Sequence, residues 1–296
     1  MNRPIITLMR PHQWLKNVFV FTPLFFDRRA TDWSYVWPCV VAFMAFCLAA
    51  SGIYCFNDIR DAEADRQHPV KRMRPIASGA IGKRTTYTVM GTLWVLAFTL
   101  AVLDSLHDGS FQTGLAGTLL SYVVMNMAYC LKLKQIAIVD VFIVAAGFVL
   151  RILAGGLATG IEVSHWMVLT TFLLALFLAM AKRRDDVVIY ETSGVKARKS
   201  VAHYNRDFLN QSIGMLGSVT IMCYMLYTVS AEVAERMGSR YLYATTVFVL
   251  AGILRYMQLT LVDQKSGSPT MVLLHDRFVH VCIAGWILAF VVILYT

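Results

Sequence analysis

Asn57, Asp58, Asp61 and Asp65 stand in the run Asn57-Asp58-Ile59-Arg60-Asp61-Ala62-Glu63-Ala64-Asp65-Arg66. On a helix the three aspartates fall at i, i+3 and i+7, so a turn of 100° per residue puts them on one face, with Asn57 one turn below Asp61. Clustered carboxylates repel one another, and a merely solvated helix end has no need of that register. A hard divalent cation resolves the repulsion, since Mg²⁺ is typically held by one or two carboxylates together with substrate phosphates. The sequence therefore predicts a divalent cation such as Mg²⁺ at the face of Asp58, Asp61 and Asp65, with Asn57 beside it.

Cations follow at once: Arg66, His68, Lys71, Arg72 and Arg74. Beside a carboxylate face they suit a polyphosphate gripped by metal on one side and cations on the other, although attraction to lipid headgroups would use the same residue types. Three further basic clusters are candidates for the same site. They are Arg10-Pro11-His12-Gln13-Trp14-Leu15-Lys16-Asn17, the stretch from Tyr129 to Lys132 and Lys134, and Lys182-Arg183-Arg184-Asp185-Asp186 with Tyr190 four residues on. Within the apolar sequence, Asp140 and Arg151 are ionisable, and such groups default to functional hypotheses. Asp140 is expected to line the site, and Arg151 fits a site residue and an interhelical tie equally well.

The elements that must position these groups are membrane helices. Of 296 residues, 57% are apolar and 15% charged, against about 45–50% and about 25% in soluble domains. The mean hydropathy is +0.59. A bilayer core about 30 Å thick needs about 20 apolar residues per helix. Runs of that order lie at 34–56, 85–103, 110–131, 163–181, 208–231 and 278–296, and two interrupted ones at 135–160 and 241–261. Segment 12–26, with Asn17 and Pro23, is expected to enter at a tilt or as a broken helix, which makes nine transmembrane helices in an all-α polytopic bundle. Residues 57–84 and 182–207 read as long charged loops. Runs this long exclude a barrel.

The net charge of +9 comes from 27 Lys and Arg, 22 of which fall in loops on one side of this arrangement. That asymmetry predicts a cytoplasmic N-terminus and cytoplasmic charged loops, with the C-terminus outside, and it argues against a nucleic-acid partner. The six cysteines lie in or at the edge of apolar runs without metal-ligand spacing, so they read as buried hydrophobes. No cleavage site follows the first apolar stretch. Gly147, Gly155 and Gly156 suit close helix packing.

These residues resemble the UbiA superfamily of intramembrane prenyltransferases. The likeness spans the chain: nine helices, an NDxxDxxxD motif after the second (Asn57, Asp58, Asp61, Asp65), Tyr-x-x-Lys after the fourth (Tyr129, Lys132) and a charged motif after the sixth. It implies a single domain over 1–296 with a central cavity open to the cytoplasm and to lipid, and Mg²⁺ on two aspartate motifs. The second motif departs from the usual DxxxD, because Asp186 is followed four residues later by Tyr190 and preceded by Lys182-Arg183-Arg184.

One acid motif and one basic cluster suit two phosphorylated substrates. The opening Arg10–Asn17 run resembles a branch of the superfamily that moves 5-phosphoribose from phosphoribosyl pyrophosphate (PRPP) to a polyprenyl phosphate such as decaprenyl phosphate, for cell-wall arabinan. That resemblance implies Lys16, Arg10 and Gln13 toward the lipid phosphate, Arg66, Arg72 and Arg74 as a lid over the diphosphate, and Tyr190 against the ribose. Lys132, Lys134, Lys182, Arg183 and Arg184 stay open between the donor's 5-phosphate and the acceptor. The rivals are an aromatic prenyltransferase using a polyprenyl diphosphate, with a second Mg²⁺ on Asp185 and Asp186, and a transporter with Asp140 and Arg151 on its pathway. The oligomeric state is left open by the sequence.

Overall fold

A computed structural model describes residues 3–67, 71–107, 114–193, 199–264 and 269–295. The chain is helical, with no strand among the described residues. The long helices are α1 (Trp33–Gln67), α2 (Lys83–His107), α3 (Gly114–Leu131), α4 (Val139–Thr159), α5 (His165–Ser193), α6 (Arg206–Val229), α7 (Thr246–Leu261) and α8 (Arg277–Tyr295). Seven described helical segments are long and apolar enough to cross a membrane, and Arg277–Ile293 is apolar but shorter.

Segment 12–26 is broken, as its sequence suggests. A 3₁₀ helix, Pro11–Phe21, gives way to a short α-helix, Thr22–Phe26, with Pro23 in its first turn. Proline lacks the N–H that a continuous helix would need there.

The two charged stretches read as loops differ from expectation. α1 continues to Gln67 and α5 to Ser193. At 35 residues α1 is about 52 Å long, well beyond the bilayer's apolar thickness of about 30 Å. Its overhang is built from Ala, Glu, Asp and Arg, three of which are helix formers of high propensity or readily paired along a helix. The acids therefore ride on rigid helix, where loop residues would have been free to spread apart.

The chain forms two compact units, residues 1–134 with 147–163, and residues 135–146 with 164–296. In the first, α1 packs on α2, α3 and the Pro11–Phe21 helix. Its core sets Ala42, Ala45 and Ala49 of α1 and Ala97 and Ala101 of α2 around Phe46, Leu119 and Tyr122. Small residues let helices approach where lipid offers no hydrophobic drive to associate. Two glycines mark close approaches between separate elements. A Cβ on Gly52 would meet the Trp94 indole, and one on Gly155 would lie 1.9 Å from the backbone carbonyl oxygen of Val20.

In the second unit α5 packs on α6, and α7 on α8. Asn205 caps α6 by accepting from the Phe208 N–H at 2.8 Å, and Asp276 accepts from the Val279 N–H at 2.9 Å at the start of α8.

The Gly155 approach is backbone against backbone, which no rotamer change can relieve. Gly155→Ala should destabilise the protein by about 1–3 kcal/mol, read as a lower melting temperature in detergent. Gly117→Ala, where no atom lies within 4 Å, should leave that temperature unchanged or raise it, because alanine is the better helix former.

Candidate active site

The overhang of α1 brings the four motif residues into a sector of about 100°, but as two pairs. Arg74, from the turn after α1, donates to Asp65 Oδ2 at 2.7 Å and to Asp58 Oδ1 at 3.3 Å. Lys134, just past α3, donates to both Asp61 oxygens at 2.7 and 2.8 Å and to Asn57 Oδ1 at 3.3 Å. Arg10 donates to Asp58 Oδ1 at 2.5 Å and lies over the Tyr54 ring at 5.0 Å. Three carboxylates thus meet three cations from three separate stretches of chain, all within the first unit.

Asp58 and Asp65 are buried, while the Asp61 side chain is 31% exposed. Only part of the acid face is solvated, contrary to a simple amphipathic reading of the overhang. Asp58 Oδ2 is buried without a hydrogen-bond partner among the described residues. Leaving such an oxygen unmet is costly, and more so when the group is charged.

Among the described residues no three His, Cys, Asp or Glu groups gather closely enough to make a ready metal cage. The set nevertheless fits a hard cation of the kind that needs only one or two carboxylates plus phosphate oxygens. The orphaned Asp58 oxygen offers one such position and the half-exposed Asp61 carboxylate another.

Arg10 reaches Asp58 through a special backbone. It sits at φ 53° and ψ 60°, between the Arg3–Met9 helix and Pro11, and a left-handed non-glycine residue costs about 1–3 kcal/mol. The corner is tied down nearby. Ser51 Oγ donates to the Met9 carbonyl at 2.9 Å, and the Trp14 indole N–H donates to Ser51 Oγ at 3.0 Å. Trp14, an obvious interfacial anchor by type, is thereby fixed to α1.

The other sequence candidates of this unit are more loosely placed. Gln13 and Lys16 are half-buried on the Pro11–Phe21 helix, Tyr129 packs at the edge of the core, and Lys132 and Arg72 are exposed. Arg66 Nε donates to the Ala77 carbonyl at 3.3 Å, clipping the 71–79 turn back onto α1. His68 lies outside the described residues.

The second unit gathers its own ionic cluster. Asp140 is fully buried, taking Arg183 Nε at 2.6 Å, the Tyr204 hydroxyl at 2.9 Å and Ser200 Oγ at 3.3 Å. Arg183 also donates to Asp186 at 3.0 Å. Burial, and next the Asp140 charge, push the Tyr204 phenol up to about 12, so it stays a donor to the carboxylate. The same hydroxyl accepts from the Ile138 N–H at 2.6 Å, holding a β-branched residue at φ 69°. Arg184 donates to Asn210 and to the carbonyls of Thr260 and Leu261, which are among the last of α7 and have no intrahelical partner.

Asp140, Arg183 and Arg184 are therefore committed to buried internal contacts, while Lys182, Asp186 and Tyr190 are half-buried and Asp185 is buried. Arg183 and Arg184 look like an open phosphate-binding pair by residue type alone. The partners 43 and 76 residues away leave no local signal, whereas the Arg183–Asp186 pair at i, i+3 is legible in the sequence.

Comparison with known proteins agrees with this architecture. A profile of the UbiA prenyltransferase family matches residues 19–280. The chain is 34% identical to decaprenyl-phosphate phosphoribosyltransferase of Mycolicibacterium smegmatis, over 96% of this chain and 90% of that protein. It is also 34% identical to the enzyme of that name from Corynebacterium glutamicum, over 98% and 86%. A solved UbiA homolog from Archaeoglobus fulgidus bound to GPP and Mg²⁺ has a TM-score of 0.71, covering 99% of this chain and all of that one at 17% identity. That likeness establishes the fold. The chain belongs to the UbiA prenyltransferase family and is a multi-pass membrane transferase.

Proposed function

We propose that this protein transfers the 5-phosphoribosyl group of PRPP to a polyprenyl phosphate, decaprenyl phosphate in the named relatives, and releases pyrophosphate. The observation that carries the reading is the acid face of α1, with three carboxylates, three cations paired to them and one unmet buried oxygen. The near-full-length likeness to two decaprenyl-phosphate phosphoribosyltransferases supports the substrate pair. We place the site on the cytoplasmic side of the plasma membrane, where the excess of Lys and Arg orients the loops, within one integral-membrane domain of 296 residues.

Asn57, Asp58, Asp61 and Asp65 would hold Mg²⁺. When bound, it neutralises the diphosphate and makes it a better leaving group. The chain's own cations do the rest of the binding. Arg10, Arg74 and Lys134 already lie at the carboxylates, and they can exchange carboxylate for diphosphate oxygens without leaving a charge unpaired. Breaking a buried pair one-sidedly would cost several kcal/mol, so this exchange is the low-energy route. Arg66, tied to the Ala77 carbonyl, keeps the Arg74 turn close as a lid.

An oxygen of the acceptor phosphate attacks C1 of the ribose. The C1–O bond to the diphosphate breaks, and pyrophosphate leaves with the electron pair. The nucleophile is an anion, so no general base is needed, and catalysis is positioning and electrostatics. In-line attack inverts C1, from the α donor to a β product. Lys16 and Gln13, on the helix that descends beside α1, are assigned to the acceptor phosphate. Lys132 is assigned to the donor's 5-phosphate, with Tyr129 lining the ribose.

An aromatic prenyltransferase would place a second Mg²⁺ on Asp185 and Asp186. Arg183 engages Asp186 at 3.0 Å, and the polyprenyl diphosphate arm of the assay below tests that reading.

Purified protein with Mg²⁺, labelled PRPP and decaprenyl phosphate should move label into the organic phase, while a polyprenyl diphosphate and an aromatic acceptor should give no product. No label in the lipid would overturn the assignment. EDTA should abolish transfer and added Mg²⁺ restore it.

Asp61→Asn should cut kcat by about 100-fold or more, on the scale of a lost electrostatic contact. Because Asp61 is partly exposed, its melting temperature should stay near wild type. Near-wild-type turnover would remove it from the site. Lys16→Ala should raise KM for the lipid acceptor and leave KM for PRPP unchanged, whereas equal effects on both would undo that division of labour.

A further inference from the structure

The Pro11–Phe21 helix lies against α1 in a fixed register. Arg10 meets Asp58, Trp14 meets Ser51, and Asn17 Nδ2 donates to Cys47 Sγ at 3.2 Å. Further down, the Val20 carbonyl faces Cys39 and Gly155. An eleven-residue 3₁₀ helix is long for its kind, since runs beyond 3–4 residues are uncommon and mark strain or a hinge. Something outside the helix must hold it.

Arg151 is placed to do so. It lies in the body of α4, 6% exposed. Its Nε donates to Asn17 Oδ1 at 2.7 Å, Nη1 to the Gly147 carbonyl at 2.6 Å and Nη2 to the Tyr122 hydroxyl at 3.1 Å. The guanidinium also lies 4.9 Å from the Tyr122 ring and 5.3 Å from Phe148. Every one of these partners is neutral. A cation at this depth costs about 2.5–3.5 kcal/mol by insertion scales, so stability alone would be better served by an apolar pair. What the guanidinium provides is a rigid fork that ties α3, α4 and the N-terminal helix at one point.

We propose that Arg151 is a positioning residue for the acid site. Through Asn17 it locks the register of the N-terminal helix on α1, and so keeps the left-handed corner at Arg10 with its guanidinium on Asp58. The action is at a distance: Cys47, opposite Asn17, is roughly 16 Å along α1 from Asp58. The consequence for catalysis rests on the transfer reaction proposed above, whereas the register itself does not.

The test has two readouts. Alkylation of Cys47 by N-ethylmaleimide, mapped by mass spectrometry in the otherwise native full chain, reports whether the helix is seated. Cys47 is buried beneath Asn17 and should be protected in wild type and in Arg10→Ala. In Arg151→Gln and Asn17→Leu it should react about ten-fold faster or more.

The second readout is a double-mutant cycle on kcat/KM for PRPP. Arg151→Gln and Arg10→Ala should each lower it, and the pair should be no worse than Arg10→Ala within about two-fold, the signature of coupled sites. Arg151→Lys, which keeps the charge without the fork, should behave like Arg151→Gln.

Protection of Cys47 in Arg151→Gln, losses that multiply in the cycle, or full rescue by Lys would each overturn the proposal. If Arg151→Gln does not fold, Asn17→Leu carries both readouts, because it leaves Arg151 bonded to Gly147 and Tyr122. If wild type transfers nothing from PRPP, the transfer reading fails by itself. The cycle is then run on Mg²⁺-dependent binding of pyrophosphate, and the labelling result stands or falls separately.

Discussion

A carboxylate taken out of water must be met by positive charge, and around Asp58 that requirement organises the first unit. Its Oδ1 draws Arg10 from the N-terminal corner and Arg74 from the turn beyond α1. Arg74 in turn reaches Asp65, and Lys134 closes on Asp61. The three cations come from stretches of chain 48 and 16 residues from Asp58, and 73 from Asp61, so the pairings fix the ends of several elements at one place. A buried ion pair contributes little net stability compared with an apolar contact of the same size. In the transfer proposed above, cations held in this way can be handed over to the phosphates of the substrate.

The rest of the first unit serves that balance. Small residues at the α1–α2 contact and the glycine beneath Val20 let backbones come close enough for the N-terminal helix to descend beside α1. The second unit holds a different kind of ionic cluster. Asp140 is saturated by Arg183, Ser200 and Tyr204, and Arg184 by an amide and two helix-end carbonyls. One cluster retains an unmet oxygen while the other shows its buried charges well supplied with partners.

Much of this was legible in the sequence, and the rest was not for identifiable reasons. Helical spacing alone put Asn57, Asp58, Asp61 and Asp65 in one sector, and hydropathy located the long helices to within a few residues. Charge density misled at 57–67 and 182–193, because ionic residues read as loop when a helix runs past the bilayer and its charges find partners. Residue type did not reveal that Arg183 and Arg184 have internal partners, since the acceptors on Asp140 and at the end of α7 are distant in sequence. Arg10 was grouped with Lys16 by proximity in sequence, whereas its left-handed backbone turns it onto Asp58. Arg151 admitted two readings because its partners, Asn17 and Tyr122, are distant neutral residues that carry no pattern.

The length of α1 has a further consequence. Cys39, Ser51 and Asp58 all sit on one unbroken rod, so the positions of the contacts with the N-terminal helix and the height of the acids above them cannot vary separately. A single residue inserted between Cys47 and Asp58 would swing the whole acid sector by about 100° and lift it by about 1.5 Å, away from every cation that now meets it. Diversification of such a protein is therefore channelled: side chains can be exchanged along the rod and the 71–79 turn can change length, but the spacing within the rod itself is a fixed ruler between membrane and water.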